Sequence, residues 1–317
     1  MTDTQNEVFK TPVNKIRLFE HGAPGSQNLK LTRKYYTEDM PDGRVKHIVQ
    51  NITDPDIVPY IPDGIGNSTD RQRIPAVLII PGGAFRRLVY NFEGEDVAKW
   101  LNSMGIAAFV LECRLPSDEH DNAEDVPLID AMRAMRVIRG RAQEFGIDEA
   151  KIGVMGFSAG GFMAALLSTA YESDVYVDYK YKDEYDKLSA RPDFAVCSYP
   201  VISIDDCIEA GKRYMSEEQV LERISDGKAK ILHKYNPDKL VRPDMPPVFI
   251  CETDDDRTTL SENSVGFYMA ARKAGVSAEL HIFRTGGHGY GCGDDFAQTG
   301  EWKVLFTKWI KSIGIIS

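Results

Sequence analysis

Ser158 lies in MGFSAGG (Met155–Gly161), with Gly156 and Gly160 two residues away on either side. A serine hydroxyl is a poor nucleophile at neutral pH unless a base takes its proton and a third group orients that base. Of six histidines, His288 stands in RTGGHGYG (Arg284–Gly291), a glycine-rich loop directly after an apolar run. His281 sits inside that run, where strand alternation turns it toward a helix or solvent, and His21, His47, His120 and His233 have no comparable setting. Between the serine and the histidine, ETDDDRTT (Glu252–Thr259) offers Asp254, Asp255 and Asp256 as the acid, and physical reasoning alone does not choose among them. A tetrahedral oxyanion also needs preorganised N–H donors. The amide of Ala159 is one candidate, and PGGAF (Pro81–Phe85), whose Gly82 and Gly83 let the main chain turn its amides inward, supplies another. Because G-x-S-x-G is a common pattern, its setting decides what it means.

That setting is regular. Short apolar runs predict buried strands at AVLIIP (Ala76–Pro81), IAAFVLEC (Ile106–Cys113), KIGVMGF (Lys151–Phe157), DFAVCSYPVI (Asp193–Ile202), PVFICET (Pro247–Thr253) and SAELHIF (Ser277–Phe283). Helical spacing predicts helices over Glu93–Gly105, Asp125–Gly146, Gly160–Tyr171 and Ser261–Gly275. A last helix carries Trp302, Leu305, Phe306, Trp309, Ile310 and Ile313 on one stripe. Strand–helix alternation requires a mostly parallel sheet covered on both faces, so the fold class is α/β, one doubly wound domain. Ser158 then sits on a sharp strand-to-helix turn at the carboxyl edge of the sheet, where reactive groups converge. Residues 1–44 are expected to form an arm or edge strands, and residues 45–317 the domain. A helical cap insertion is expected over about 202–246, with Ser216 and Gln219 as a capping box before Val220, Leu221 and Ile224. The run YVDYKYKDEYDK (Tyr176–Lys187) reads as a polar, aromatic wall suited to sugars.

Composition excludes other classes. The 317 residues are 43% hydrophobic and 27% charged, and no window approaches the ~18 apolar residues of a membrane span. A formal charge of −10 without a Lys/Arg block argues against nucleic acid as partner. Five cysteines, Cys113, Cys197, Cys207, Cys251 and Cys292, show no C-x-x-C spacing, so reduced structural thiols are expected and no metal site. No dinucleotide fingerprint or P-loop occurs, and no cofactor is expected. The opening MTDTQNEVFK lacks a basic region followed by an apolar one, which predicts a cytoplasmic protein unless a leader has been removed. A homodimer is allowed.

With these pieces in place, the chain resembles the α/β-hydrolase superfamily. Within it the likeness is to the acetylxylan-esterase-like or BD-FAE-like carboxylesterases, relatives of the hormone-sensitive-lipase group. The resemblance covers about residues 45–313 and rests on GFSAGG, PGGAF, Glu93–Pro116, the run from Ile129 to Gly161, NPDKLVRPDMPPVFICETDDD and GGHGYG, in the order serine, aspartate, histidine. It implies a serine carboxylesterase that forms an acyl-enzyme on short, chiefly acetyl, esters of carbohydrate or similar small substrates. Ser158 would be the nucleophile and His288 the base. Counting back from ENS (Glu262–Ser264) and forward from PPVF (Pro246–Phe249) puts the acid at Asp256, with Asp255 as fallback. The family's oxyanion donors fall on Gly83 and Ala84, beside Ala159. Arg86 and Arg87 stand where aromatic or apolar residues are common, and with Tyr290 they are expected to face substrate, Arg86 or Arg87 reaching an anionic or heavily hydroxylated one. A peptidase, lactonase or thioesterase with the same triad is the alternative, and a non-catalytic binding protein ranks last.

Overall fold

The computed structural model describes residues 9, 12–65, 73–176, 178–213, 216, 218–219, 229–293 and 298–317. Eleven strands are formed among them: β1 (Ile16–Arg17), β2 (Lys34–Asp39), β3 (Val45–Gln50), β4 (Asp56–Tyr60), β5 (Ile74–Ile80), β6 (Leu88–Val89), β7 (Ala107–Glu112), β8 (Ile147–Phe157), β9 (Ala195–Ser198), β10 (Val248–Thr253) and β11 (Ala278–Phe283). The α-helices are α1 (Asp96–Ser103), α2 (Val126–Gly140), α3 (Ala142–Phe145), α4 (Ala159–Ala170), α5 (Ile204–Lys212), α6 (Ala229–Lys234), α7 (Ser261–Lys273) and α8 (Trp302–Ser312). No described helix is long and apolar enough to cross a membrane.

Eight strands form one sheet in the order β1-β4-β7-β5-β8-β9-β10-β11. β1 and β4 run antiparallel at one edge, and the remaining six are parallel. The topology follows from handedness. From β5 the chain crosses through α1 to β7 on one side, then returns through α2 to β8 on the other side of β5. Right-handed crossovers in opposite directions put α1 and α2 on opposite faces. Each helix group is then sealed by its own aromatic or aliphatic layer: Trp100 of α1 meets Trp302 and Phe306 of α8 at 4.9 and 5.4 Å between ring centroids. Strands β5, β7 and β10 are buried nearly end to end, which is why they read as continuous apolar runs and not as alternation. The reversal of strand order occurs at β5, so the loops leaving β5 and β8 lie side by side at the carboxyl edge. One carries PGGAF and the other Ser158.

Two expectations meet the structure here. The boundary placed at residue 44 cuts a hairpin: β2 pairs with β3 over six residues, Lys34 opposite Gln50 through Asp39 opposite Val45, and β6 completes this second, three-stranded sheet. The described residues before 45 therefore contribute edge strands to the same folded unit. Their docking is electrostatic as well, with Arg33 bonding Asp56 and Glu112, and Lys15 bonding Glu112. The insertion over 202–246 is helical where described, and Ser216 and Gln219 do bond reciprocally at 3.0 and 3.2 Å. Val220, Leu221 and Ile224 lie outside the described residues.

Candidate active site

Ser158 occupies the junction of β8 and α4 with φ 54° and ψ −119°, a backbone state that costs about 1–3 kcal/mol for a residue with a Cβ. Neighbouring strands and the helix hold it there. Its amide donates to the Ser198 carbonyl at 3.0 Å, and its own carbonyl accepts from Phe162 at 3.0 Å. The turn is so tight that a Cβ at Gly156 would overlap the Gly160 carbonyl, and one at Gly160 would overlap the Ile80 carbonyl of the adjacent strand. Both flanking glycines are thus required sterically.

The His288 loop follows β11, and Ser158 Oγ lies 2.8 Å from His288 Nε2. On the other side of the ring, His288 Nδ1 lies 2.6 Å from Asp256 Oδ2. Asp256 Oδ1 accepts from the amides of Thr258 and Thr259 at 2.7 and 3.0 Å, and Thr259 Oγ1 is 3.0 Å from Oδ2. Burial works against the charge of Asp256. The bond to His288 and these amides outweigh it and hold the carboxyl below its ordinary range. The other two aspartates differ: both are exposed, Asp254 makes no bond to the ring, and Asp255 accepts from the Gly287 amide at 2.8 Å, pinning the loop that carries His288.

The PGGAF loop abuts the serine so closely that a Cβ at Gly82 would come within 2.9 Å of Ser158 Cβ. Gly83 has φ 136°, and a Cβ there would strike the Arg87 carbonyl. Ala84 and Phe85 follow at φ 57° and 60°, so Ala84 keeps its N–H in a left-handed turn that a glycine would enter more easily. Among the described residues, the amides of Gly83 and Ala84 donate to no other group, whereas the Gly82 amide is already taken by Glu93. Ala159, the first residue of α4, has an amide with no intrahelical acceptor by position. These three N–H groups are available to an anion beside Ser158.

Sequence reasoning missed Glu93 and Tyr199. The buried Glu93 accepts from the Gly82 amide at 2.8 Å through Oε2, and from the Tyr199 hydroxyl at 2.9 Å through Oε1. Tyr199 in turn accepts from the Gly291 amide at 3.0 Å, and its ring meets His288 edge-on at 5.0 Å. One carboxyl therefore ties the loop after β5 to the loop that carries His288. Burial pushes the Glu93 carboxyl up, partly countered by the charge of His288 and by its two bonds. Glu93 sits in a π-helical turn, Asn91–Glu95, a rare local structure common at functional sites. Nothing in NFEGED distinguishes it from Glu95 and Asp96 by sequence. Glu252 is a further buried carboxyl; burial, and then the charge of Asp256, push it far up.

A cleft of about 220 Å³ opens in front of Ser158 and His288, with Gly83, Ala84 and Arg87 on its walls. Two roomier recesses, of 390 and 780 Å³, have linings that include neither Ser158 nor His288. The substrate-facing expectations divide. Arg87 lines the cleft, but Arg86 is carried by the Ala84–Phe85 turn into the recess with Gln50 and Asp118. Tyr290 is a correction: its side chain is buried behind the loop against Tyr199, ring centroids 4.5 Å apart, and does not reach the cleft. Tyr176 and Tyr179, from the supposed aromatic wall, line a separate recess with Pro24 and Asp121, and the described part of the 202–246 insertion contributes nothing to the cleft around Ser158. No cluster of His, Cys, Asp and Glu among the described residues has metal-binding geometry.

The comparisons with known proteins agree with this architecture. The BD-FAE family model matches residues 65–270. An acetylxylan esterase from Xylanibacter ruminicola is 31% identical over 240 residues, covering 75% of this chain and 45% of that protein. A protein from Butyrivibrio fibrisolvens named endo-1,4-beta-xylanase B is 31% identical over 227 residues, covering 71% of this chain and 34% of that one. The chain thus spans less than half the length of these curated relatives. A crystal structure of an acetyl ester-xyloside bifunctional hydrolase from Caldicellulosiruptor lactoaceticus superposes with a TM-score of 0.69 at 35% identity, covering 96% of this chain and 97% of the other.

Proposed function

From the premise that this chain belongs to the BD-FAE family and has the α/β-hydrolase fold of its esterase neighbours, we propose that it is a serine carboxylesterase removing short acyl groups, acetyl foremost, from carbohydrate or similar small esters. The observation that carries this reading is the continuous chain Ser158–His288–Asp256, beside three amides free to bind an anion. His288 Nε2 takes the hydroxyl proton as Ser158 Oγ attacks the ester carbonyl. The Gly83, Ala84 and Ala159 amides receive the oxyanion, and Asp256 stabilises the imidazolium. His288 gives the proton to the leaving alcohol. It then activates water, which releases the acid from Ser158.

Short acyl groups are favoured because the apolar space behind Gly82 and Gly160, lined by Cys113, Leu115 and Met163, holds only about 10 Å³, no more than one water. The test is hydrolysis of 4-nitrophenyl acetate through decanoate beside acetylated xylo-oligosaccharides and a peptide amide. Acetate is expected fastest, with the amide untouched. Activity confined to the amide would overturn the esterase reading.

The Glu93 link gives a second expectation. Glu93→Ala should lower kcat on acetate about ten- to a hundredfold, the effect of a small misplacement of the reacting groups, with KM nearly constant. Glu93→Gln keeps an acceptor for the Gly82 amide and should lose less. A raised KM with unchanged kcat in Glu93→Ala would show that Glu93 acts on binding and not on positioning.

A further inference from the structure

The described wall of the cleft carries more cationic than anionic side chains. The formal charge of the chain is −10, yet among the described residues the charged side chains on the cleft walls, besides His288, are Arg44, Lys46, Arg87 and Glu93. Arg44 is held by Asp42 at 2.8 Å and Arg87 by Glu38 at 2.5 Å. Lys46, on β3, stands directly across the ladder from Glu38, but Glu38 is committed to Arg87. Among the described residues Lys46 forms no salt bridge, although its charge acts on the Glu93 carboxyl. Glu93 is buried and accepts from Gly82 and Tyr199, while Asp256 is fully buried behind His288. Among the described residues, an incoming molecule therefore meets in Lys46 a half-exposed cation whose neighbouring carboxylates, Glu38 and Glu93, are bonded to other groups.

The side of the ester that reaches Lys46 follows from space. The recess behind Gly160 has room for no more than one water, so a small acyl group stays at the floor beside Ser158, and the larger alcohol part extends toward the hairpin wall that carries Lys46. We propose that Lys46 binds a carboxylate on the alcohol part of the ester, so that the preferred substrate is an acetylated oligosaccharide bearing a uronic acid. This rests on the esterase reading above and narrows its substrate class. It also separates the two arginines singled out by sequence from the group that matters: Arg87 is neutralised by Glu38 and orders the wall, and Arg86 faces elsewhere.

The test compares kcat/KM of the full chain for a neutral acetylated xylo-oligosaccharide and for the same oligosaccharide carrying a glucuronic acid branch, at low salt and at about 0.3 M NaCl. 4-Nitrophenyl acetate is the separate readout of esterase activity. Wild type is expected to prefer the acidic substrate about fivefold at low salt, the size of one half-exposed ion pair, and less at high salt. Lys46→Met should bring the ratio to about one, and Lys46→Glu should reverse it. Turnover of 4-nitrophenyl acetate with equal kcat/KM on the two oligosaccharides overturns the carboxylate site and leaves the esterase reading standing. A preference that survives in Lys46→Glu overturns it as well. No wild-type turnover of 4-nitrophenyl acetate above that of Ser158→Ala overturns the esterase reading, and this inference with it.

Discussion

Replacing Ser158 by alanine is expected to lower kcat on 4-nitrophenyl acetate by about 10⁴-fold or more, leaving only what oxyanion binding and proximity supply. The substitution removes one oxygen and keeps the Cβ. The backbone strain at φ 54°, the bond to Ser198 and the start of α4 therefore persist, and thermal stability should stay near wild type. The combination is diagnostic. A loss of activity with an unchanged unfolding transition assigns the hydroxyl a chemical role, whereas undiminished turnover would remove Ser158 from the reaction.

The second large effect concerns which aspartate serves His288. Asp256→Asn is expected to cost about 10³- to 10⁴-fold in kcat, because an amide facing Nδ1 can donate and so favours the wrong imidazole tautomer. Asp255→Asn keeps an oxygen for the Gly287 amide and should cost less than about tenfold, a loop-positioning effect. Asp254→Asn should be close to neutral, since its side chain is exposed and makes no bond to the ring. A larger loss at Asp255 than at Asp256 would show that the loop rearranges when substrate binds. It would move the acid by one residue.

Most of what positions these groups was readable from sequence because it depends on burial. Strands buried inside the sheet are apolar where they are buried, and β5, β7, β10 and the second half of β8, from Ile152 to Phe157, announce themselves that way. The short or half-exposed elements β2, β3, β4 and β6 do not. β4 contains Pro59 and β6 has only two residues, so neither carries a periodic signal, and the β2–β3 hairpin is half-exposed on both strands.

At the site, the residues that sequence located are those fixed by steric necessity: Gly156, Gly160 and Gly83 each sit where a Cβ would meet main chain. Side-chain direction was harder. Gly287, Gly289 and Gly291 all have positive φ, so the loop reverses at every second residue; His288 turns to Ser158 and Tyr290 turns inward. The same effect at Ala84 and Phe85 parts Arg86 from Arg87. Glu93 and Tyr199 stayed hidden because their roles arise from contacts across more than 90 residues of chain.

The central claim is that the Ser158 oxygen becomes covalently acylated, and trapping it is the most direct measurement. The protein is treated with diisopropyl fluorophosphate, digested, and the modified peptide is sequenced by mass spectrometry. The account predicts a single adduct on Ser158, loss of ester hydrolysis in proportion to labelling, and no adduct in Ser158→Ala. An adduct on another residue that abolishes activity, or full activity in protein quantitatively labelled at Ser158, would contradict it.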